Sequence, residues 1–208
     1  MIRSFIAIPL PDNIKRDIRD RIDSFGKTHI SITPYNNLHL TLYFLGDILE
    51  EAVDKISEKL RNLSRTRAEF VLRFRGVDAF RDRRGDVKVI FIPLIEGLEA
   101  VRGLYREVGM LIKPYIKEEK EYTPHLTIGR VRKNVPRQEL EDFMGTLEGI
   151  EIERVLVSGI TFFRSELNRR GAIHTPIDVV EFSAKKFEQM LKVKRSPKNR
   201  RKKSFGKY

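Results

Sequence analysis

His39-Leu40-Thr41-Leu42 and His125-Leu126-Thr127-Ile128 lie 86 residues apart and read as one strand written twice. In an extended chain alternate side chains share a face. The spacing therefore predicts His39, Thr41 and Tyr43 on one side of the first strand, with Leu38, Leu40, Leu42 and Phe44 turned into a core. It sets Thr123, His125 and Thr127 opposite Leu126 and Ile128 in the same way. The chain has 208 residues and four histidines, and chance placement beside its threonines supplies roughly 0.2 His-x-Thr triplets. Two occur, both centred on leucine.

The repeat extends outward from these strands. Gly-Val-Asp-Ala-Phe-Arg from Gly76 to Arg81 returns as Gly-Ile-Thr-Phe-Phe-Arg from Gly159 to Arg164, and the hairpin glycine Gly85 returns as Gly171. Helical stripes keep step: Val53, Ile56, Leu60 and Leu63 after the first strand match Leu140, Phe143 and Leu147 after the second. Likewise Ile14, Ile18, Ile22 and Phe25 precede His39 as Leu98, Val101, Leu104, Val108 and Leu111 precede His125. The segment from His39 to His125 predicts β-α-β-β-α-β, the ferredoxin-like order. The expected fold is α+β: two ferredoxin-like lobes related by pseudo-two-fold symmetry, with antiparallel sheets facing a central cleft. The second lobe is closed by the N-terminal strand and helix lying alongside the C-terminal strands.

Composition narrows the function classes. Lys and Arg total 41 against 29 Asp and Glu, a formal charge of +12. Nine of those bases fall between Lys192 and Tyr208, where no acid occurs, and the remainder of the chain carries a net charge of only +3. This predicts a folded domain over 1–184 and a basic, disordered tail over 185–208, either a nucleic-acid arm that releases counterions or a solubilising extension. The absence of cysteine excludes disulfides, a thiolate nucleophile and thiolate zinc sites. No apolar run approaches the ~20 residues of a membrane span, and Met1 to Leu10 lacks the pattern of a signal peptide. The expectation is a cytoplasmic protein with no membrane partner. No Walker A loop, paired-glycine dinucleotide fingerprint or His-Glu-x-x-His zinc motif is present.

Two imidazoles and two hydroxyls converge if the pseudo-two-fold brings the polar faces together. That set suits displacement at a phosphodiester. One imidazole, neutral near pH 7, takes a proton from attacking water; the other, protonated, gives one to the leaving oxygen; Thr41 and Thr127 donate hydrogen bonds to the non-bridging oxygens. In-line attack requires base and acid on opposite sides of phosphorus, which a two-fold site supplies. A strained ring such as a ribose 2′,3′-cyclic phosphate lowers the barrier enough to need no metal. This geometry leaves open which histidine is the acid.

The first motif continues as Thr-Leu-Tyr-Phe-Leu-Gly (Thr41 to Gly46), and the second sits in Tyr-Thr-Pro-His-Leu-Thr-Ile-Gly-Arg (Tyr122 to Arg130). These tandem motifs resemble the two-histidine (2H) phosphoesterase superfamily and, within it, the RNA 2′,3′-cyclic phosphodiesterases, also called 2′-5′ RNA ligases. Arg3 to Leu10, Arg164 to Leu167 and His174-Thr175-Pro176 fit the same pattern, so the similarity spans about residues 1–184. The resemblance implies a bilobal α+β fold and hydrolysis of an RNA terminal 2′,3′-cyclic phosphate to a 2′-phosphomonoester, with no metal and no other cofactor. It implies His39 as proton donor to the leaving 3′ oxygen and His125 as proton acceptor from water. The expected partners are RNA ends bearing the cyclic phosphate, tRNA fragments among them, and the chain is expected to act as a monomer.

Further residues have two readings each. Arg130 matches the family's phosphate-side arginine, yet strand parity turns it away from His125 unless the strand bulges near Gly129. Phe5 and Tyr43 are candidates for stacking a base or for the core. Arg81, Arg83, Arg84, Arg169 and Arg170, at two hairpin tips related by the repeat, are RNA guides or solvated turns. His29 and His174 lie outside the paired motifs and receive no role. Two alternative functions remain at this stage: 2′-5′ joining of tRNA halves by reversal of ring opening, since no Lys-x-Asp-Gly adenylation motif occurs, and an RNA-end-binding module without turnover.

Overall fold

Isoleucines at Ile14, Ile18 and Ile22 form the buried stripe of helix α1 (Asp12–Ile22), which follows strand β1 (Ile2–Pro9). The protein, here a computed structural model, is described over residues 1–22, 25, 29–116, 121–168 and 171–183. The expected basic tail, 185–208, and the hairpin residues Arg169 and Arg170 lie outside the described residues. After α1 come β2 (Ile30–Ile32), β3 (His39–Ile48), α2 (Glu50–Ser64), β4 (Phe70–Arg75), β5 (Asp78–Arg81) and β6 (Val87–Glu96). The chain continues through α3 (Leu98–Ile112), β7 (His125–Val131), α4 (Arg137–Leu147), β8 (Glu151–Val157), β9 (Gly159–Asn168) and β10 (Gly171–Glu181). Two departures from the sequence reading are local. β2 is three residues long, too short to show a period. The chain turns at Gly76, whose φ of +76° suits a residue without a Cβ, and this divides β4, which pairs with β6 and β8, from β5, which pairs with β6.

The strands run β10-β9-β1-β3-β7-β6-β4-β8, with β2 on β7 and β5 on β6, and every pairing is antiparallel. The α+β, two-lobed arrangement is as expected. One half holds β10, β9, β1 and β3 with α2 against β10 and α3 against β3. The other holds β7, β6, β4 and β8, and α4 sets Phe143 beside Gly129 of β7. The N-terminal strand does lie beside a C-terminal one, β9. The halves are nevertheless interleaved in the chain, because His39's own strand joins β1 instead of staying with the segment that follows it. Ser4 to Ile8 of β1 are buried on both faces and need partners at both edges, which β9 and β3 supply.

Among the described residues the strands of the two halves pair at one position, Leu40 opposite Leu126, in the middle of the two motifs. Both leucines are fully buried, as are Ile6, Ile92 and Ile128 around them.

Three bulges decide where side chains point. Along β3, Gly46 pairs with Ser4 and Phe44 with Phe5, skipping Leu45; then Tyr43 pairs with Ile6 and Thr41 with Ala7, skipping Leu42. Along β7, Thr127 pairs with Phe91 and Gly129 with Ile90, skipping Ile128. Each extra residue reverses the alternation beyond it. Tyr43 therefore leaves the His39 face for the core, and Phe44 takes its place on that face, 69% exposed. This corrects the period-two reading of both residues. The bulge at Ile128 instead brings Arg130 opposite Val89, onto the face shared by Phe91 and Thr127. The amide of Thr33 donates to the carbonyl of Ile128 at 2.7 Å, so the bulge costs no buried acceptor. Among the described residues no helix is long and apolar enough to cross a membrane.

Candidate active site

Antiparallel pairing about Leu40 and Leu126 turns His39 toward Thr127 and Thr41 toward His125. Each imidazole thus has its own threonine along the strand and the other motif's threonine across it. All four side chains are partly buried on one face of the sheet.

His39 is held by aromatic rings. Phe5 stacks on it with centroids 4.9 Å apart and planes at 28°, and Phe163 lies 6.2 Å away. Its Nε2 is 3.0 Å from Thr41 Oγ1. Burial pushes its pKa down to about 4, helped by the neighbouring His174 and opposed by a hydrogen bond to the Asn37 backbone. His125 sits in a matching frame, edge-on to Phe80 at 4.8 Å and to Phe91 at 5.2 Å. Its Nδ1 donates to the Thr123 carbonyl at 2.7 Å, since a carbonyl oxygen only accepts. Nε2 is then the nitrogen with a lone pair in the neutral ring. Burial lowers the His125 pKa as well, the Thr123 bond opposes that, and the charge of Arg130 adds to the lowering.

The structure separates the other sequence candidates. Phe5 is only 2% exposed and lies against His39, Phe163 and His174, so no ring face is open to a base; it orients His39 instead. Tyr43 is 7% exposed and stacks at 4.1 Å on Tyr105 of α3. A Cβ at Gly109 would fall 2.2 Å from its hydroxyl, so the glycine makes room for the ring beneath the helix. Base stacking by Phe5 or Tyr43 is therefore ruled out by burial. Arg81 bonds the Gly85 carbonyl and Lys88 pairs with Asp82, which makes the described hairpin tip a self-bonded turn. His29 pairs with Glu139 of α4 at 2.8 Å, well placed as a tie between β2 and that helix.

Three further residues at or beside this face carried no reliable signal in the sequence. Phe44 needs the bulge at Leu42 to reach the surface, and periodicity alone hides it. His174 of β10 lies 5.6 Å from His39 and edge-on to Phe5 at 4.7 Å, through a strand pairing that only the fold reveals. Tyr122 donates its hydroxyl to the Thr41 carbonyl at 3.0 Å and stacks on Tyr105 at 4.0 Å. Burial raises its pKa, so the hydroxyl stays protonated and remains a donor. That bond joins the two motifs at a second point, next to the bulge. No three His, Asp or Glu side chains among the described residues converge so as to hold a metal ion.

Comparison with known proteins agrees with this arrangement. The family described as LigT like Phosphoesterase matches residues 8–91 and 95–174. An RNA 2′,3′-cyclic phosphodiesterase from Methanothermobacter thermautotrophicus is 31% identical over 182 residues, 86% of this chain and 97% of that protein. One from Archaeoglobus fulgidus is 28% identical over 86% of this chain and 100% of its own length. Among solved structures, TT0787 of Thermus thermophilus superposes with a TM-score of 0.69 at 26% identity, over 87% of this chain and 98% of that one. LigT of E. coli, crystallised with 3′-AMP, superposes at 0.70 over 88% and 98% with 21% identity, a likeness of fold.

The depressed His39 value has a consequence for stability. As pH falls, the unfolded chain takes up this proton near its ordinary value of 6.5, whereas the folded chain resists it down to about 4. The residue's contribution is therefore full above pH 6.5 and is lost progressively toward pH 4, by at most about 3 kcal/mol. Urea unfolding at pH 7 and pH 4.5 should show the wild-type chain losing more stability than His39→Gln. Equal losses in the two proteins contradict the assigned burial.

Proposed function

The chain belongs to the LigT-like phosphoesterase family, and from that footing we propose that it hydrolyses RNA terminal 2′,3′-cyclic phosphates to 2′-phosphomonoesters. The observation that carries the reading is the Leu40–Leu126 pairing, which sets two imidazoles and two hydroxyls on one face about a local two-fold. The relatives named RNA 2′,3′-cyclic phosphodiesterase over nearly their full length support the substrate class.

In this reading water attacks phosphorus from the His125 side. Nε2 of His125 has the free lone pair because Nδ1 is held by Thr123, so it takes the proton. His39 protonates the departing 3′ oxygen. Its low pKa in the empty site is compatible with that role, because the phosphodiester anion, entering a partly buried pocket, favours the imidazolium form. Thr41, Thr127 and Arg130 donate to the non-bridging oxygens, where charge accumulates in the transition state. Each proton transfer supplies on the order of 10²–10⁴-fold. Exposed Phe44, 5.9 Å from Phe5 on the same face, is the platform for the terminal nucleobase.

His39→Ala and His125→Ala should each reduce turnover of uridine 2′,3′-cyclic phosphate by at least about 10²-fold with circular dichroism unchanged, and chelator should leave the wild-type rate intact. Retained activity in either variant contradicts the acid–base assignment. Phe44→Ala should raise KM by roughly 5- to 100-fold with a smaller change in kcat. An unchanged KM removes the nucleobase platform.

A further inference from the structure

We propose that His174 is a positioning residue for His39: strand β10 sets a third imidazole edge-on against the first-motif ring and makes the two motif histidines unequal. The effect on titration follows from geometry alone; only the kinetic arm of the test rests on the function proposed above.

The two halves otherwise correspond. Phe5 and Phe163 flank His39 as Phe91 and Phe80 flank His125, at the same 86- and 83-residue offsets as the sequence repeat. Strand β10 breaks the correspondence. β9 pairs with β1 on one side and β10 on the other, whereas β5, its counterpart, pairs only with β6 among the described residues. His174 stands on that extra strand opposite Ser165, with its ring centroid 5.6 Å from that of His39 and the planes at 78°. The two rings are clamped in register: Asn37, two residues before His39, donates from Nδ2 to the carbonyl of Ala172, two residues before His174, at 2.8 Å. Nδ1 of His174 is buried with no hydrogen-bond partner.

Two imidazolium rings this close repel, so the pair does not carry two charges at neutral pH. The titratable groups acting on His39 are His174 from β10, His125 from β7 and Lys15 from α1, and each of these bases disfavours a proton on it. Among the described residues no strand lies beyond β5, so His174 adds to His39 a neighbour without a counterpart at His125. The consequence is a site in which His39 stays unprotonated while empty and takes its proton when a phosphodiester anion arrives to balance it. Protonation of the acid becomes conditional on substrate.

The test uses the full chain and His174→Phe, which keeps a ring against Phe5 and removes the imidazole. Histidine ring signals are followed by NMR titration, and kcat/KM for uridine 2′,3′-cyclic phosphate is measured across pH. The expected result is a rise of about 0.5–1 unit in the His39 midpoint, an unmoved His125 midpoint, and an equal displacement of the kinetic limb that coincides with His39. If His174→Phe loses its fold, His174→Gln provides the same comparison. An unmoved His39 midpoint, or an equal rise at His125, overturns the inference. A wild-type chain without turnover defeats the proposed hydrolysis instead, and the titration still decides the role of His174.

Discussion

The pairing of Leu40 with Leu126 is the contact on which the site depends. Among the described residues it is the one place where strands of the two halves pair, and it lies at the centre of both histidine motifs. Burying each leucine contributes about 1.5–3 kcal/mol. Near neutral pH the His39 imidazole is uncharged in the folded and the unfolded chain alike, so its burial draws on that stability only as pH falls from 6.5 toward 4. A strand with the same His and Thr but a poorly buried centre would lack both the register and the energy to keep two imidazoles together.

Around that pair the molecule is built twice. Each histidine is framed by two phenylalanines, one from the neighbouring strand and one from the strand beyond it, so the rings sit in walls that exclude water from one side. Acid–base catalysis needs the two imidazoles in opposite protonation states, and identical surroundings favour equal ones. Three features separate them: the Thr123 carbonyl fixes the tautomer of His125, Arg130 acts on the second ring, and His174 stands beside the first.

Much of this was legible in the residues. The tandem His-Leu-Thr strands, the helical stripes and the repeated glycines pointed to the α+β, two-lobed fold, because hydrophobic period and turn residues are local signals. The interleaving of the halves was not legible, since β3 could pair with β1 or with its own successors without any change in its pattern. Parity failed at the bulges. Leu42 and Leu45 look like ordinary core positions, yet each adds a residue to β3, and together they bury Tyr43 and expose Phe44. The same device at Ile128 turns Arg130 onto the face of Thr127, from which strand parity alone turns it away. His174 was hidden for a different reason: its neighbour His39 is 135 residues away, and only the β9–β10 hairpin brings them together.

The central claim is that this one face carries out hydrolysis of a cyclic phosphodiester with the proton going to the 3′ oxygen. Phosphorus NMR of the product formed from a nucleoside 2′,3′-cyclic phosphate tests it most directly, because the 2′- and 3′-monoesters are resolved from each other and from the ring. The expected outcome is conversion to the 2′-phosphomonoester alone. A 3′-phosphomonoester, or a cyclic phosphate left intact by a folded wild-type chain, contradicts it.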